Sequence, residues 1–214
     1  MYIGRIVAIA RTDDDRLCAL YRVSSRSFPN RAAAVGINEV SIIPKAGHEG
    51  DIQKNPYITY HCVRIACDGR VAVVSNGSHT DPIAEKIAGG APVRDAIALS
   101  LSTLDYEKDS YNTPRICAVV DKRDGAAGWL GVVRIDGLEV KKVALEPGTF
   151  AYVATYEENG LHPGQSGSFP AKTPLDSCKF ILSQGVFAQR ECPITAVAAM
   201  STDAGFEFAA MDAG

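Results

Sequence analysis

The chain has 214 residues, of which 46% are hydrophobic and 22% charged, a composition typical of a globular protein with a buried core. Its net charge of −3 and lack of a basic stripe argue against nucleic-acid binding. No apolar run approaches the roughly 20 residues of a membrane span, so we expect a cytoplasmic protein without a membrane segment. The length suits a single domain covering residues 1–214.

Strands dominate the first third of the sequence. Two strand-like stretches, residues 2–10 and 17–23, are joined by a polar turn at residues 12–15 and predict an N-terminal hairpin. The Asp68-Gly69 pair predicts another tight turn between strands. Further strands are predicted at residues 41–44, 57–67 and 70–75.

Two helices are predicted next. Thr80-Asp81-Pro82 offers a capping side chain followed by proline at the first helical position, and Gly89-Gly90 would end that helix. A second helix begins near Pro92, because apolar residues recur at three- and four-residue steps as far as Leu104.

The remaining chain returns to strands and adds one helix at Pro174–Gln184. Glu157–Thr173 is rich in Gly, Ser and Pro and predicts a long loop, whereas Ile194–Met200 fits either a helix or a strand. Strands are predicted at residues 115–120, 128–135, 138–145, 150–156 and 206–209. Because strands and helices do not alternate regularly, the order favours a layered α+β protein over a βαβ fold.

Six cysteines are scattered along the chain, and none of them forms a Cys-x-x-Cys pair. Zinc and iron–sulfur sites use closer, paired spacing, so we predict reduced, buried thiols and no metal site. The cysteines are Cys18, Cys62, Cys67, Cys117, Cys178 and Cys192.

Residues 21–31, Tyr-Arg-Val-Ser-Ser-Arg-Ser-Phe-Pro-Asn-Arg, contain three arginines and three serines but no carboxylate. Guanidinium groups and hydroxyls match the oxygens of phosphates and carboxylates, so this segment predicts an anion-binding site. The alternative is a solvated surface loop, since arginine is common on protein surfaces.

Residues 75–81, Ser-Asn-Gly-Ser-His-Thr-Asp, lie between a strand and a predicted helix start. Backbone N–H groups at such a point can bind an anion, and Asn76 could extend into a cleft. The alternative is an ordinary turn with a helix cap.

Residues 104–109 carry carboxylates at a helix end, where they oppose the helix dipole. Asp105 or Glu107 could therefore act as a general base, or the segment is a solvated helix end.

Residues 55–61, Asn-Pro-Tyr-Ile-Thr-Tyr-His, supply two tyrosines. If this segment is a strand, alternation puts Tyr57 and Thr59 on one face and Tyr60 on the other. A tyrosine can donate a proton while its ring packs in the core, although most strand tyrosines only pack. The four histidines have no mutual metal spacing, and His79 alone lies beside a candidate site.

Together these motifs resemble the archaeal-type inosine monophosphate (IMP) cyclohydrolase family. The resemblance is strong from Met1 to about Arg115, whereas after Val120 only the general character of the sequence is similar. The matching segments are residues 1–5, 21–31, 55–57, 75–81, 105–109 and 112–115. Membership would imply the last step of de novo purine biosynthesis. In that step 5-formamido-1-(5-phospho-ribosyl)imidazole-4-carboxamide (FAICAR), a small purine ribotide, closes to IMP with loss of water. No cofactor or metal is expected.

The resemblance also implies a four-layer αββα sandwich of two stacked, mainly antiparallel sheets, as in N-terminal nucleophile (Ntn) hydrolases. Those hydrolases use an N-terminal Cys, Ser or Thr. This chain opens with Met1-Tyr2, so we expect the fold without that chemistry.

Under this hypothesis Glu107 is the general base or carboxamide-orienting group. Tyr60 is the general acid or the hydrogen-bond donor to the formyl oxygen, and Tyr57 is the second candidate for this role. Asn76 would hold the formyl or carboxamide group, and Arg115 would orient Glu107. Five residues are expected to bind the 5′-phosphate and nearby oxygens: Arg22, Ser24, Arg26, Ser27 and Arg31.

Three alternatives stay open at the level of sequence. The first is an amidohydrolase of the same fold with a processed or displaced nucleophile. The second is a non-catalytic purine-ribotide-binding protein, and the third is a structural domain whose Arg-Ser segment is only a surface. A homo-oligomer is expected, because most soluble oligomers are symmetric assemblies of one chain.

Overall fold

The structure is a computed structural model that describes residues 1–214. The strands are β1 (Ile6–Arg11), β2 (Leu17–Ser24), β3 (Arg31–Val35), β4 (Glu39–Pro44), β5 (Tyr60–Ala66), β6 (Val71–Ser75), β7 (Arg115–Asp121), β8 (Ala127–Arg134), β9 (Gly137–Ala144), β10 (Thr149–Ala154), β11 (Ser166–Ser168), β12 (Pro193–Ser201) and β13 (Phe206–Asp212). The helices are α1 (Asp51–Lys54), α2 (Thr80–Ala88), α3 (Val93–Leu104) and α4 (Pro174–Ser183), and short 3-10 turns occur at Pro56–Ile58 and Gly185–Phe187.

The strands form two antiparallel sheets. The six-stranded sheet has the order β11-β10-β1-β2-β12-β13, and the seven-stranded sheet has the order β3-β4-β5-β6-β7-β8-β9. The predicted N-terminal hairpin is confirmed by the antiparallel pairing of β1 with β2. The predicted α+β class is confirmed as well.

Three apolar clusters hold these elements together. The largest joins the two sheets and includes Tyr21 of one sheet and Val63 of the other. A second lies between the six-stranded sheet and α4, where Leu20 packs with Phe180. The third lies between the seven-stranded sheet and helices α2 and α3, where Ile83 is buried. Each fully buried large aliphatic side chain contributes roughly 1.5–3 kcal/mol, so the layers stabilise one another.

Alternation along β2 decides which side chains reach which cluster. Tyr21 faces the other sheet, whereas Leu20 faces α4. Because side chains in a strand alternate between faces, Arg22 also lies on the α4 side. All eight residues of β2 are buried, so no side chain of this strand lies on an exposed face.

The predicted start of the first strand is wrong by four residues. Residues 2–5 lie outside β1, which begins at Ile6. Gly4 has φ +71°, and a Cβ there would lie 2.1 Å from Thr155 Oγ1. The chain turns at this glycine, and the N–H of Arg5 donates to Thr155 Oγ1 at 3.0 Å.

The predicted strand at residues 57–67 begins three residues too early. Tyr57 lies in a 3-10 turn, because Pro56 fixes the backbone and the Asn55 side chain accepts a hydrogen bond from Tyr57 N at 2.8 Å. The strand itself starts at Tyr60. The predicted position of Tyr57 on a strand face is therefore wrong.

Three smaller differences have local causes. Strand β3, helix α1 and strand β11, which lies inside the predicted loop, were not predicted, and each has five residues or fewer. Helix α2 ends before Gly89-Gly90 as predicted, but it begins at Thr80, two residues before the predicted first helical residue Pro82. No side chain caps it, and the Thr80 hydroxyl donates to Gly77 O. Ile194–Met200 lies in strand β12. Both faces of this strand are buried, so its sequence does not alternate between apolar and polar residues and resembles that of a buried helix.

None of the helices is long and apolar enough to cross a bilayer. The cysteines form no disulfide. The predicted burial of their thiols holds for Cys18, Cys62, Cys117 and Cys178, whereas Cys67 is half-buried and Cys192 is exposed.

Candidate functional site

A cleft of about 660 Å³ opens where the N-terminal segment meets the loops after β2, α1, α3 and β10. A cavity of about 300 Å³ beside β10 and His162 contains none of the predicted site residues. The larger cleft is lined by Tyr2, Arg5, Ser25, Arg26, Ser27, Phe28, Lys54, Asn55, Pro56, Tyr57, Asp109, Ser110, Tyr111 and Tyr156.

The walls of this cleft carry more positive than negative charge. Arg5, Arg26 and Lys54 line it, against the single carboxylate of Asp109. Arg26 is 60% exposed and pairs with Glu191 at 2.8 Å. Four tyrosines and several serines supply flat rings and hydroxyl donors. Such a lining suits a small anion that carries a planar ring.

Arg5 connects the cleft to a buried carboxylate. Its Nη2 donates to Glu107 Oε2 at 3.0 Å, and Glu107 is only 1% exposed. On the other side of Glu107, Arg115 Nη1 lies 3.8 Å from Oε1. The structure thus brings together the predicted pair of Glu107 and Arg115, and it adds an arginine that the sequence reasoning missed.

Several polar atoms around Glu107 have no partner. Eight buried side-chain nitrogen or oxygen atoms in the protein lack a hydrogen bond, and five of them lie in this region. Buried polar groups are normally paired, so a cluster of unpaired ones marks a candidate functional site. They are Arg5 Nε, His79 Nδ1, Glu107 Oε1, Arg115 Nε and Arg115 Nη1.

Burial raises the pKa of Glu107 above its usual range, and the charges of Arg5 and Arg115 offset this only in part. A carboxylate whose pKa is raised is a stronger base than an exposed one. The environment of Glu107 therefore suits proton abstraction.

Gly77 leaves the space in which these groups meet. A Cβ on Gly77 would lie 2.6 Å from Arg115 Nη1 and 3.3 Å from both Glu107 Oε1 and His79 Nδ1. His79 Nε2 lies 2.9 Å from Ile116 O, so this nitrogen carries the hydrogen and Nδ1 is an acceptor. Burial, with a contribution from Arg115, lowers the pKa of His79 to about 3, and the ring is neutral.

Tyr60 is 7% exposed and is not among the residues that line the cleft, but it lies close to Arg31 and Arg5. Burial raises its pKa, and the charges of Arg31 and Arg5 oppose the increase. Its hydroxyl oxygen is 2.6 Å from that of Tyr21. Arg31 is 2% exposed and uses only Nε in a hydrogen bond, to Phe28 O at 3.1 Å. Its two terminal nitrogens therefore remain available as donors.

The residues predicted to bind the phosphate do not all lie in one place. Arg26 and Ser27 line the cleft. Arg22 and Ser24 do not, because Arg22 is fully buried on the α4 side of the sheet. Its guanidinium donates to the Leu182 carbonyl at 2.9 Å, to the Arg190 carbonyl at 2.6 Å and to Ser24 Oγ at 2.9 Å.

Asn76 is also turned away from the cleft. Its Nδ2 donates to Pro114 O at 3.0 Å, and its Oδ1 accepts from Ile116 N at 2.8 Å. Both ends of the amide therefore connect the loop before α2 to the start of β7. Tyr57 lines the cleft, and its ring lies 5.7 Å from the Arg115 guanidinium carbon.

Sequence reasoning missed several lining residues. Tyr2 and Arg5 belong to the opening motif and could have been noticed there, since Arg5 directly precedes the first strand. Lys54 and Tyr156 carry no local signal, because only the folded chain brings them to the cleft.

The cationic, tyrosine-lined cleft with a buried carboxylate behind it makes this α+β protein a candidate for binding a small anionic molecule. The profile of the family described as IMP cyclohydrolase-like protein matches residues 2–205. The chain belongs to this family.

Curated relatives match over nearly the whole chain. An IMP cyclohydrolase of Methanosphaera stadtmanae is 47% identical and covers 95% of this chain and 96% of its own length. One from Methanococcus maripaludis strain C7 is 46% identical over 99% of this chain and 100% of its own. One from Methanocaldococcus jannaschii is 40% identical over 98% of each.

Proposed function

We propose that this protein is an IMP cyclohydrolase, a hydrolase-class enzyme of purine biosynthesis that closes FAICAR to IMP with loss of water. Its family and the full-length similarity to proteins of that name support the activity. The observation that carries the proposal in the structure is the buried Glu107 behind Arg5 at a cleft lined by three cations.

The phosphate is proposed to bind at the more exposed part of the cleft. Arg26, Ser27 and Lys54 line this part and offer charged and hydroxyl donors. Arg31, the remaining arginine of the predicted phosphate site, is 2% exposed and lies close to Tyr60, so it is assigned to the reacting end of the substrate. Arg22 and Ser24 take structural roles in this proposal, because their polar side-chain atoms are hydrogen-bonded within the protein.

Ring closure requires a nucleophilic carboxamide nitrogen. Glu107 is proposed to accept a proton from this nitrogen, because burial strengthens it as a base and its Oε1 has no other partner. Arg5 and Arg115 hold the carboxylate from two sides. Tyr57 would pack against the substrate beside Arg115.

The formyl oxygen must then leave as water. One proton lost from the carboxamide nitrogen and one from the formamido nitrogen balance the two hydrogens of that water. Tyr60 is proposed to donate to the formyl oxygen, with Arg5 and Arg31 stabilising the negative charge that develops there. Asn76 acts indirectly by fixing the loop that carries Gly77 and His79. Because the reaction is intramolecular, positioning contributes a large part of the rate enhancement.

The proposal extends to the fold. The order α4, six-stranded sheet, seven-stranded sheet, and α2 with α3 supports a four-layer αββα sandwich of the Ntn-hydrolase type. The continuous inter-sheet core supports a single domain spanning residues 1–214. A single cooperative unfolding transition would agree with one domain, whereas two separated transitions would contradict it.

Copies of the chain are also proposed to associate. Val35 and Ile37 are exposed at the edge strand β3 and the turn after it, and Ile37 is 93% exposed. Exposed apolar residues at a sheet edge suit contact between identical chains. Light scattering coupled to gel filtration measures the mass, and a mass of 22.8 kDa at all concentrations would contradict association.

The activity can be tested directly. The purified protein is incubated with FAICAR without added metals or cofactors, and IMP is followed by chromatography. Glu107→Gln should lower kcat about a thousandfold, because general bases typically contribute 10²–10⁴-fold. Glu139→Gln is the matched control, since Glu139 is 40% exposed on β9 and pairs with Arg134. Tight IMP binding without turnover by the wild-type protein would contradict the enzyme and favour a ribotide-binding protein.

A further inference from the structure

We propose that Tyr21 is a positioning residue, whose hydroxyl donates its hydrogen to the oxygen of Tyr60 and leaves the hydrogen of Tyr60 free for the substrate. The inference rests on the function proposed above. It adds to the site a residue from the six-stranded sheet, opposite the strand that carries Tyr60.

The two tyrosines meet across the interface between the sheets. Tyr21 lies in β2 and Tyr60 is the first residue of β5. Their hydroxyl oxygens are 2.6 Å apart, and the rings meet edge to face at 6.4 Å and 65°. Both side chains belong to the inter-sheet core, with Tyr21 0% and Tyr60 7% exposed. Packing therefore restrains both rings.

The direction of this hydrogen bond follows from the role proposed for Tyr60. The hydroxyl of Tyr21 is buried and makes no hydrogen bond other than that with Tyr60. When Tyr60 donates to the formyl oxygen, its own oxygen can only accept from Tyr21, and both phenolic hydrogens then have acceptors. With Tyr60 as the donor to Tyr21, the hydrogen of Tyr21 would stay buried without an acceptor, and the formyl oxygen would receive none from Tyr60.

Both phenols face the same two arginines, Arg5 and Arg31. The groups that face Tyr60 are Tyr21, Arg5, Arg31 and Cys62, and those that face Tyr21 are Tyr60, Arg5 and Arg31. Burial raises the pKa of both phenols, so both are neutral donors at neutral pH. The hydrogen bond from Tyr21 lowers the pKa of Tyr60, whereas the same bond raises that of Tyr21. Hydrogen bonds in series also polarise one another, so Tyr60 becomes a better donor.

A double-mutant cycle tests the inference. FAICAR turnover is measured for the wild type, Tyr21→Phe, Tyr60→Phe and the double variant. Tyr21→Phe should lower kcat about tenfold, the effect of one hydrogen bond, with KM nearly unchanged. Because Tyr21 acts through Tyr60, adding Tyr21→Phe to Tyr60→Phe should cause no further loss.

Tyr152→Phe is the matched control. Tyr152 is 4% exposed, its hydroxyl donates to Glu158 at 2.8 Å, and it lies outside the cleft. Its turnover should equal that of the wild type. Wild-type turnover in Tyr21→Phe, or an equal loss from this change in both backgrounds, would overturn the role of Tyr21.

A second measurement does not depend on the activity. In protein labelled with carbon-13 at the tyrosine Cζ atoms, alkaline titration followed by NMR gives the pKa of Tyr60. Tyr21→Phe should raise this pKa, because the tyrosinate loses a donor. An unchanged pKa would show that Tyr21 donates no hydrogen bond to Tyr60 and would overturn the inference. Absence of IMP formation by the wild type would refute the proposed function alone, and the titration would still decide the inference.

Discussion

Two arginines differ in their partners: Arg22 is fully buried in β2, whereas Arg5 precedes β1 and its side chain is 13% exposed at the cleft. Arg22 donates to backbone carbonyls at the end of α4 and in the segment that follows it. The several N–H groups of one guanidinium thereby connect these two parts of the chain. Arg5 donates to the buried carboxylate of Glu107 and keeps Nε unpaired at the cleft. The comparison supports the proposal that Arg22 is structural, because its donors are used, and that Arg5 belongs to the site, because one donor remains free.

Arg5→Lys tests the functional side of this comparison and should lower kcat more than either Arg22→Lys or Arg26→Ala. Lysine keeps the charge but cannot hold Glu107 while also facing the cleft, because it lacks the planar fork. We expect kcat to fall about a hundredfold, as when one donor to a developing oxyanion is removed. Steady-state kinetics with FAICAR measure it, and a melting temperature close to that of the wild type shows that the fold survives. Unchanged kcat would remove Arg5 from the site.

Arg22→Lys tests the structural side. Lysine cannot reach all the carbonyls that Arg22 contacts, and those left buried without a donor destabilise the protein by about 2 kcal/mol. Chemical denaturation measures the free energy of unfolding. The folded fraction should retain the kcat of the wild type, because Arg22 lies outside the cleft. Loss of kcat at unchanged stability would reverse the roles of the two arginines.

His79 should make stability depend on pH. Its pKa is lowered from 6.5 to about 3 on folding, so the unfolded chain binds one more proton between these values. The stability from the neutral ring is fully present above pH 6.5 and is lost as pH falls toward 3, by at most about 1.4 kcal/mol per pH unit.

The control for this pH dependence is His79→Gln, which cannot take up that proton. Denaturation curves at several pH values should show a shallower acid slope for the variant. Equal slopes in both proteins would mean that another group causes the acid sensitivity.

Arg26→Ala should have the smallest effect. Arg26 is 60% exposed, so solvent screens its charge, and we expect KM to rise about fivefold at unchanged kcat. Arg94→Ala is the matched control, because Arg94 is 68% exposed on α3 and lies outside the cleft. A loss of kcat in Arg26→Ala would place Arg26 at the reacting atoms instead of the phosphate.

Local signals predicted many of the elements and part of the site. The helical period near Pro92 and the turn at Asp68-Gly69 agree with α3 and with the β5–β6 hairpin. The pairing of Arg115 with Glu107 was also expected, and the two side chains lie 3.8 Å apart. The helix and the turn depend on residues that are neighbours in the sequence, and Glu107 and Arg115 are only eight positions apart.

Other site residues carried no such signal. Composition of residues 21–31 could not separate Arg22 from Arg26, because strand alternation buries one while the loop exposes the other. Asn76 looked like a cleft residue until the start of β7 occupied both ends of its amide.

The class of fold, the family and the polar segments of the candidate site can all be read from the sequence. Hydrophobic period, turn residues and contiguous motifs express these properties within short windows. Which side chains meet depends on contacts between distant parts of the chain. The contacts of Arg5 with Glu107 and of Tyr21 with Tyr60 join residues 102 and 39 positions apart, and packing between elements brings them together.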